Sequence, residues 1–105
     1  SGGRVASIIA DEMGIHKLVC IGYPFKHPSQ PEDPGRYLHL VSIKTPVLIL
    51  QGSRDEYGGV EVTRRYTLSP SIRMIFFDTD HHFLVDDAQW QASLECILTF
   101  INASR

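Results

Sequence analysis

Apolar positions along this chain fall into short continuous runs that alternate with helically spaced stripes. Lys17 to Gly22 is almost unbroken in its apolar character, as is Pro46-Val47-Leu48-Ile49-Leu50-Gln51. Such runs suit strands buried on both faces, as in a parallel sheet. Ile72 to Phe77 is rich in β-branched and aromatic residues and predicts a third strand. From Gly3 to Met13, Val5, Ile8, Ile9 and Met13 recur at the spacing of a core-facing helix, with Ala6 and Ala10 between them. Gly14 then suits the left-handed residue that closes a helix. Val62 and Tyr66, four apart, mark a short helix over 60–66. A final helix over about 88–103 carries Trp90, Leu94, Ile97, Leu98 and Ile101, with Asp86 or Asp87 available to cap it.

Between the first two strands, Tyr23 to Arg36 holds Pro24, Pro28, Pro31 and Pro34. Proline removes a backbone donor and fixes φ, so neither a helix nor a central strand fits there. The stretch predicts a long surface loop over the sheet edge, of a length that usually serves function. A short helix with Leu38, Leu40 and Val41 comes next, and Pro46 opens the second strand.

This alternation implies right-handed β-α-β units and a parallel sheet, so the class is α/β. About three strands flanked by helices make one domain over residues 1–105. A sheet so small has two open edges. Its expected fourth neighbour is a strand that would precede Ser1, which makes the domain a partial one. Self-association or a partner at the open edge is the other way to complete it.

Composition narrows the picture only modestly. The net charge of -2 and the scatter of Lys and Arg argue against nucleic acid. Apolar runs of about six residues are far short of the roughly 20 that cross a bilayer, so no membrane partner is expected. Cys20 and Cys96 lie in apolar segments without Cys-x-x-Cys spacing. They read as small buried hydrophobes, favour a reducing, cytoplasmic compartment, and support neither a zinc site nor a redox motif.

The candidate chemistry sits after the strands. The second strand runs into Gly52-Ser53-Arg54-Asp55, and the third into Asp78-Thr79-Asp80-His81. In open α/β sheets, reactive groups gather at the carboxyl ends of strands. An acid after one parallel strand and a histidine after the next is the way α/β-hydrolases deliver two members of a catalytic triad. Asp55 would orient His81, and His81 would act as general base. Glu56 is the neighbouring alternative acid, and His82 the neighbouring histidine. The chain opens on Ser1-Gly2-Gly3-Arg4, just before the first helix, where a nucleophile elbow belongs. Either Ser1 is the nucleophile or the residue before it is. Asp78, Asp80, His81, His82, Asp86 and Asp87 are dense, yet no pair has the spacing of metal ligands on one regular face, so no metal or cofactor is expected. No Gly-x-Gly-x-x-Gly comes after a strand, which argues against a nucleotide-binding domain.

Four segments together resemble one family. Gly2-Gly3-Arg4-Val5-Ala6 looks like the second half of a Gly-x-Ser-x-Gly-Gly-Arg elbow. Gly22-Tyr23-Pro24-Phe25, Thr45 to Gly52 with Asp55 beyond it, and the pair Asp80-His81 match its later features. The chain thereby resembles the C-terminal half of α/β-hydrolase-fold proteins of the dienelactone-hydrolase-like branch, which includes testis-expressed and chromatin-complex subunit relatives. The resemblance implies a serine hydrolase acting on a small ester-like substrate through an acyl-serine; Tyr23, Phe25, Tyr37, Tyr57 and the proline-rich loop are expected to rim the pocket. It also favours the residue before Ser1 as nucleophile, and implies that the half-domain alone is inactive, because an oxyanion amide comes from an earlier loop. Thr79 stands where relatives usually have glycine, and His82 where an acid is common. Some relatives look like scaffolds, so a non-catalytic interaction module is the rival reading.

Overall fold

The computed structural model of the chain describes residues 2–103. Its elements are α1 (Gly2–Ile9), β1 (Leu18–Ile21), two 3-10 turns (Pro34–Arg36 and Leu38–Val41), β2 (Val47–Gly52), α2 (Val62–Arg65), β3 (Ile72–Phe77) and α3 (Asp87–Asn102). The strands form one parallel sheet in the order β1-β2-β3, with Leu18 opposite Val47 and Val47 opposite Ile72. The expected α/β class and three-stranded sheet are therefore present. The short helix expected around Leu38 is a 3-10 turn, and α2 is a single turn.

Every residue of β2 is buried, because strands flank it and both its faces are covered. Val47 and Ile49 face a core with Ala10, Cys20, Phe25 and Leu40. Leu48 and Leu50 face the opposite core, against Phe83 and the α3 residues Cys96, Ile97 and Phe100. Full burial of each such aliphatic side chain contributes about 1.5–3 kcal/mol. β2 is thus the fixed axis from which the next turn projects.

The helices meet the sheet differently from the expected pattern. Ser7 and Ala10 of the α1 segment are buried, whereas Val5, Ile8, Ile9 and Met13 are exposed, Met13 by 68%. The cause is close approach. A β-carbon on Gly3 would stand 3.3 Å from the Cys20 sulfur, so the face of α1 with the smallest side chains lies against β1. Its larger apolar stripe then points outward. On α3, Ser93, Cys96, Ile97 and Phe100 turn inward, while Trp90, Leu94, Leu98 and Ile101 stay exposed. Asp86 caps α3 by accepting from the Gln89 amide at 2.8 Å. At the other end, Lys17 donates to the carbonyls of Phe100, Ile101 and Ala103, tying the last turn to the foot of β1. Gly14 takes φ +66°, the left-handed closing conformation its position suggested.

The proline-rich segment begins inside the molecule. Tyr23 and Phe25 are core residues, not pocket-rim residues. Their rings lie 4.7 Å apart, and Phe25 stacks on Tyr66 at 5.3 Å. Gln51, a fully buried amide on β2, holds this turn. Its oxygen accepts from the Tyr23 amide at 2.8 Å, and its nitrogen donates to the carbonyls of Tyr23 and Gly58 at 2.9 and 2.7 Å. Burying an amide is costly unless its hydrogen bonds are made, and here one side chain joins the turns that come after β1 and β2.

Candidate active site

β2 ends at Gly52, and the chain turns at once. The Ser53 amide donates to Phe77 O at 2.8 Å and the Arg54 amide to Thr79 O at 3.0 Å. The acid-bearing turn and the histidine-bearing loop are therefore stitched together by backbone. Any side chain at Gly52 would collide with that stitch, since a β-carbon there would lie 2.4 Å from Thr79 O and 2.5 Å from Asp80 O.

The stitch delivers Asp55 to His81. His81 Nδ1 lies 2.9 Å from Asp55 Oδ2. The other carboxylate oxygen, Oδ1, accepts from the Tyr57 amide at 2.7 Å. The Asp55 side chain is 0% exposed and that of His81 is 33% exposed. A carboxylate has no proton to give, so Nδ1 carries the hydrogen and Nε2 keeps a lone pair. An imidazole whose Nδ1 is held by a buried carboxylate, and whose other nitrogen is free to take a proton, is chemically equipped as a general base.

Three features lie around the imidazole. Gly22, at the end of β1, has φ +75°, and a β-carbon there would meet His81 Cε1 at 3.4 Å and Nδ1 at 3.5 Å. The Tyr57 ring lies 4.2 Å from the imidazole, centroid to centroid, at 33°. Beyond His81 the chain reverses at Phe83, which sits at φ +55°, a conformation that non-glycine residues adopt only when their surroundings hold them. Phe83 is anchored in the second core against Phe77, and the Thr79 hydroxyl donates to Leu84 O at 3.0 Å. Thr79 thus pins the loop where relatives were expected to carry glycine.

The neighbouring candidates are placed elsewhere. His82 is exposed, with its amide donating to Asp80 Oδ1 at 3.0 Å. Glu56 is exposed as well. Asp78 pairs on the surface with Arg54. Among the described residues, no three His, Cys, Asp or Glu side chains gather as metal ligands. Both cysteines are free, and burial pushes the Cys20 thiol up to about 11. Ser1 lies outside the described residues. Immediately after it, α1 begins at Gly2, and Gly3 rests on Cys20, close to the carboxyl end of β1. Gly3, Gly22, Asp55 and His81 thus lie toward one end of the sheet, the carboxyl end of its strands. A groove of about 420 Å³ between Lys17, Lys44, Arg73 and Phe100 lies at the opposite, amino ends of the strands. The topology favours the carboxyl ends for chemistry.

Sequence patterns did not single out Gln51, Phe83 or Ser7. Gln51 carried a usable signal, a polar side chain ending a strand otherwise buried. Ser7 lies in a second polar cluster, where its hydroxyl is 2.8 Å from Arg4 O, 2.7 Å from His39 Nε2 and 3.3 Å from the Tyr23 hydroxyl. Ser7 is buried, and its partners pin α1 both to Tyr23 in the turn after β1 and to His39 in the 3-10 turn Leu38–Val41. Burial, with a smaller contribution from Arg4, holds the His39 imidazole below its ordinary value.

Among the described residues no helix is long and apolar enough to cross a membrane. Searches of curated proteins and of solved structures found no match. A family model described as an alpha/beta hydrolase domain matches residues 1–103, nearly the whole chain. With that match and a parallel sheet carrying Asp55 and His81 at its carboxyl ends, this chain belongs to the alpha/beta hydrolase domain family.

Proposed function

We propose that this chain carries the acid and base of a serine hydrolase that acts on small ester-like substrates by acyl transfer. The observation that carries the reading is the 2.9 Å contact between His81 Nδ1 and the fully buried Asp55 carboxylate. In this scheme the nucleophile comes from the elbow leading into α1, as Ser1 or a serine just upstream in a longer polypeptide. His81 Nε2 takes the serine proton while the serine oxygen bonds to the acyl carbon. The imidazolium then gives that proton to the departing alkoxide. Water deacylates the serine by the same route in reverse. The amide after the nucleophile donates to the oxyanion. The specific dienelactone-hydrolase-like kinship and a cytoplasmic setting remain part of this proposal, the first resting on the Gly-Tyr-Pro-Phe and Gly-Gly-Arg segments.

The test is hydrolysis of an activated aryl ester by the intact protein. His81→Ala should cost at least about a thousandfold in kcat/KM, and His82→Ala less than about tenfold. A loss below about tenfold at His81 would sink the reading.

One observation favours a second reading, an interaction module without catalysis. The outward stripes of α1 (Val5, Ile8, Ile9, Met13) and α3 (Trp90, Leu94, Leu98, Ile101) are broad apolar surfaces on a sheet whose β1 edge is unpaired among the described residues. Surfaces of this kind mark association. A second copy or another chain packed on these stripes would cover them, and the concentration dependence of sedimentation would reveal it.

A further inference from the structure

We propose that Tyr57 is the positioning residue of the Asp55–His81 pair, acting on both partners at once. The inference rests on the reading of that pair as acid and base. Tyr57 touches the two residues through different parts of itself. Its amide donates to Asp55 Oδ1 at 2.7 Å, which fixes the carboxylate plane and leaves Oδ2 for the imidazole. Its ring covers the imidazole at 4.2 Å. Its carbonyl accepts from the Lys26 amide at 3.0 Å, and its ring meets the edge of His27 at 5.2 Å. Tyr57 is therefore the link between the proline-rich segment and the base.

The link matters because little else restrains the imidazole. One hydrogen bond to Asp55 fixes Nδ1 but leaves the ring able to swing about that bond. Gly22 leaves room beside the ring at the end of β1, where a β-carbon would meet His81 Cε1 at 3.4 Å and Nδ1 at 3.5 Å. The Tyr57 ring, 4.2 Å from the imidazole, limits that swing. Offset aromatic contacts at this separation are attractive, and a cation on a phenol ring is attracted by the ring quadrupole. Next to the pair, Asp80 accepts from the His82 amide, and His27 lies against the tyrosine ring. A substrate seated at Nε2 meets a wall whose position depends on residues 26 and 27.

The test reads the His81 Nδ1 proton directly by NMR, so it does not depend on turnover. In the unmodified protein, Tyr57 ring protons should show cross-relaxation to the His81 ring protons, and a downfield Nδ1–H resonance should vanish in Asp55→Asn. Tyr57→Phe should retain that resonance. Tyr57→Met and Tyr57→Leu should lose it to exchange with water while the amide spectrum stays folded. In the intact protein, the Met and Leu variants should lose about tenfold or more in kcat with KM little changed, and Tyr57→Phe should stay within about twofold. Absence of the ring–ring cross-relaxation would overturn the proposal without any variant. So would an Nδ1–H resonance whose exchange rate is unchanged in both the Met and Leu variants. Loss of the hydrolase reading would appear separately, as an intact Nδ1–H signal in a protein that turns over no ester.

Discussion

Gly52 and Thr79 approach so closely that a β-carbon on the glycine would lie 2.4 Å from the threonine carbonyl oxygen. That approach lets the Arg54 amide reach the same oxygen at 3.0 Å, and it seats the loop that carries His81 over the turn that carries Asp55. Gly52→Ala must push the two segments apart. The expected cost is about 1–3 kcal/mol in urea unfolding, as for overpacking elsewhere, with loss of the hydrogen-bonded His81 Nδ1 proton signal. An alanine variant with wild-type stability and an intact signal would show that the loops move freely.

Gln51 makes a different demand. Its replacement by leucine keeps the bulk and strands two buried polar groups, the amide of Tyr23 and the carbonyl of Gly58, while the Tyr23 carbonyl keeps only its bond from the Phe25 amide. Each unmade buried bond costs about 1–3 kcal/mol, and relaxation should bring the net loss to about 3 kcal/mol. Equilibrium denaturation of Gln51→Leu measures it, and a loss under about 0.5 kcal/mol would mean that water replaces the amide.

The pattern of residues reveals some features and hides others, according to the kind of information each one needs. The three strands were legible because Val47 to Leu50 and its neighbours are continuous apolar runs, and such runs have few other homes in a parallel sheet. Asp55 and His81 were legible because the strand ends fix which side chains can meet. The facing of α1 was not. Periodicity reports an apolar stripe at Val5, Ile8, Ile9 and Met13, but Gly3, Ser7 and Ala10 decide which face can approach Cys20. Tyr23 and Phe25 were misplaced at a pocket rim for a related reason. A proline-rich segment looks like surface until the Gln51 amide draws its first turn into the core. The role of Tyr57 depends on a loop conformation that no local pattern encodes.

His39 should make stability depend on pH near neutrality. Burial, and then Arg4, keep its folded value below the ordinary 6.5. The unfolded chain therefore binds more protons between those two values. Its contribution is present above about 6.5 and is lost as pH falls through the folded value. Comparison of urea midpoints at pH 7.5 and 5.5 should show a smaller drop for His39→Gln than for the wild type. An unchanged drop would place the dependence on other groups.

The two thiols should differ sharply in reactivity. Cys20 is buried with its thiol pushed up to about 11, whereas Cys96 is half-buried on α3. Thiolate is the reactive form, so an aromatic disulfide reagent should modify Cys96 first and Cys20 only when the chain unfolds. Equal rates under native conditions would show that α1 lifts readily from β1.

The central claim is that Asp55 and His81 serve a nucleophilic serine at the elbow before α1. The most direct measurement is the intact mass of the protein, isolated from its natural source and then as a His81→Ala variant, after treatment with a fluorophosphonate. The account predicts one covalent adduct, mapped to Ser1 or to a serine immediately upstream, and its loss in the variant. No adduct on the wild-type protein, or one that forms at the same rate without His81, would contradict it.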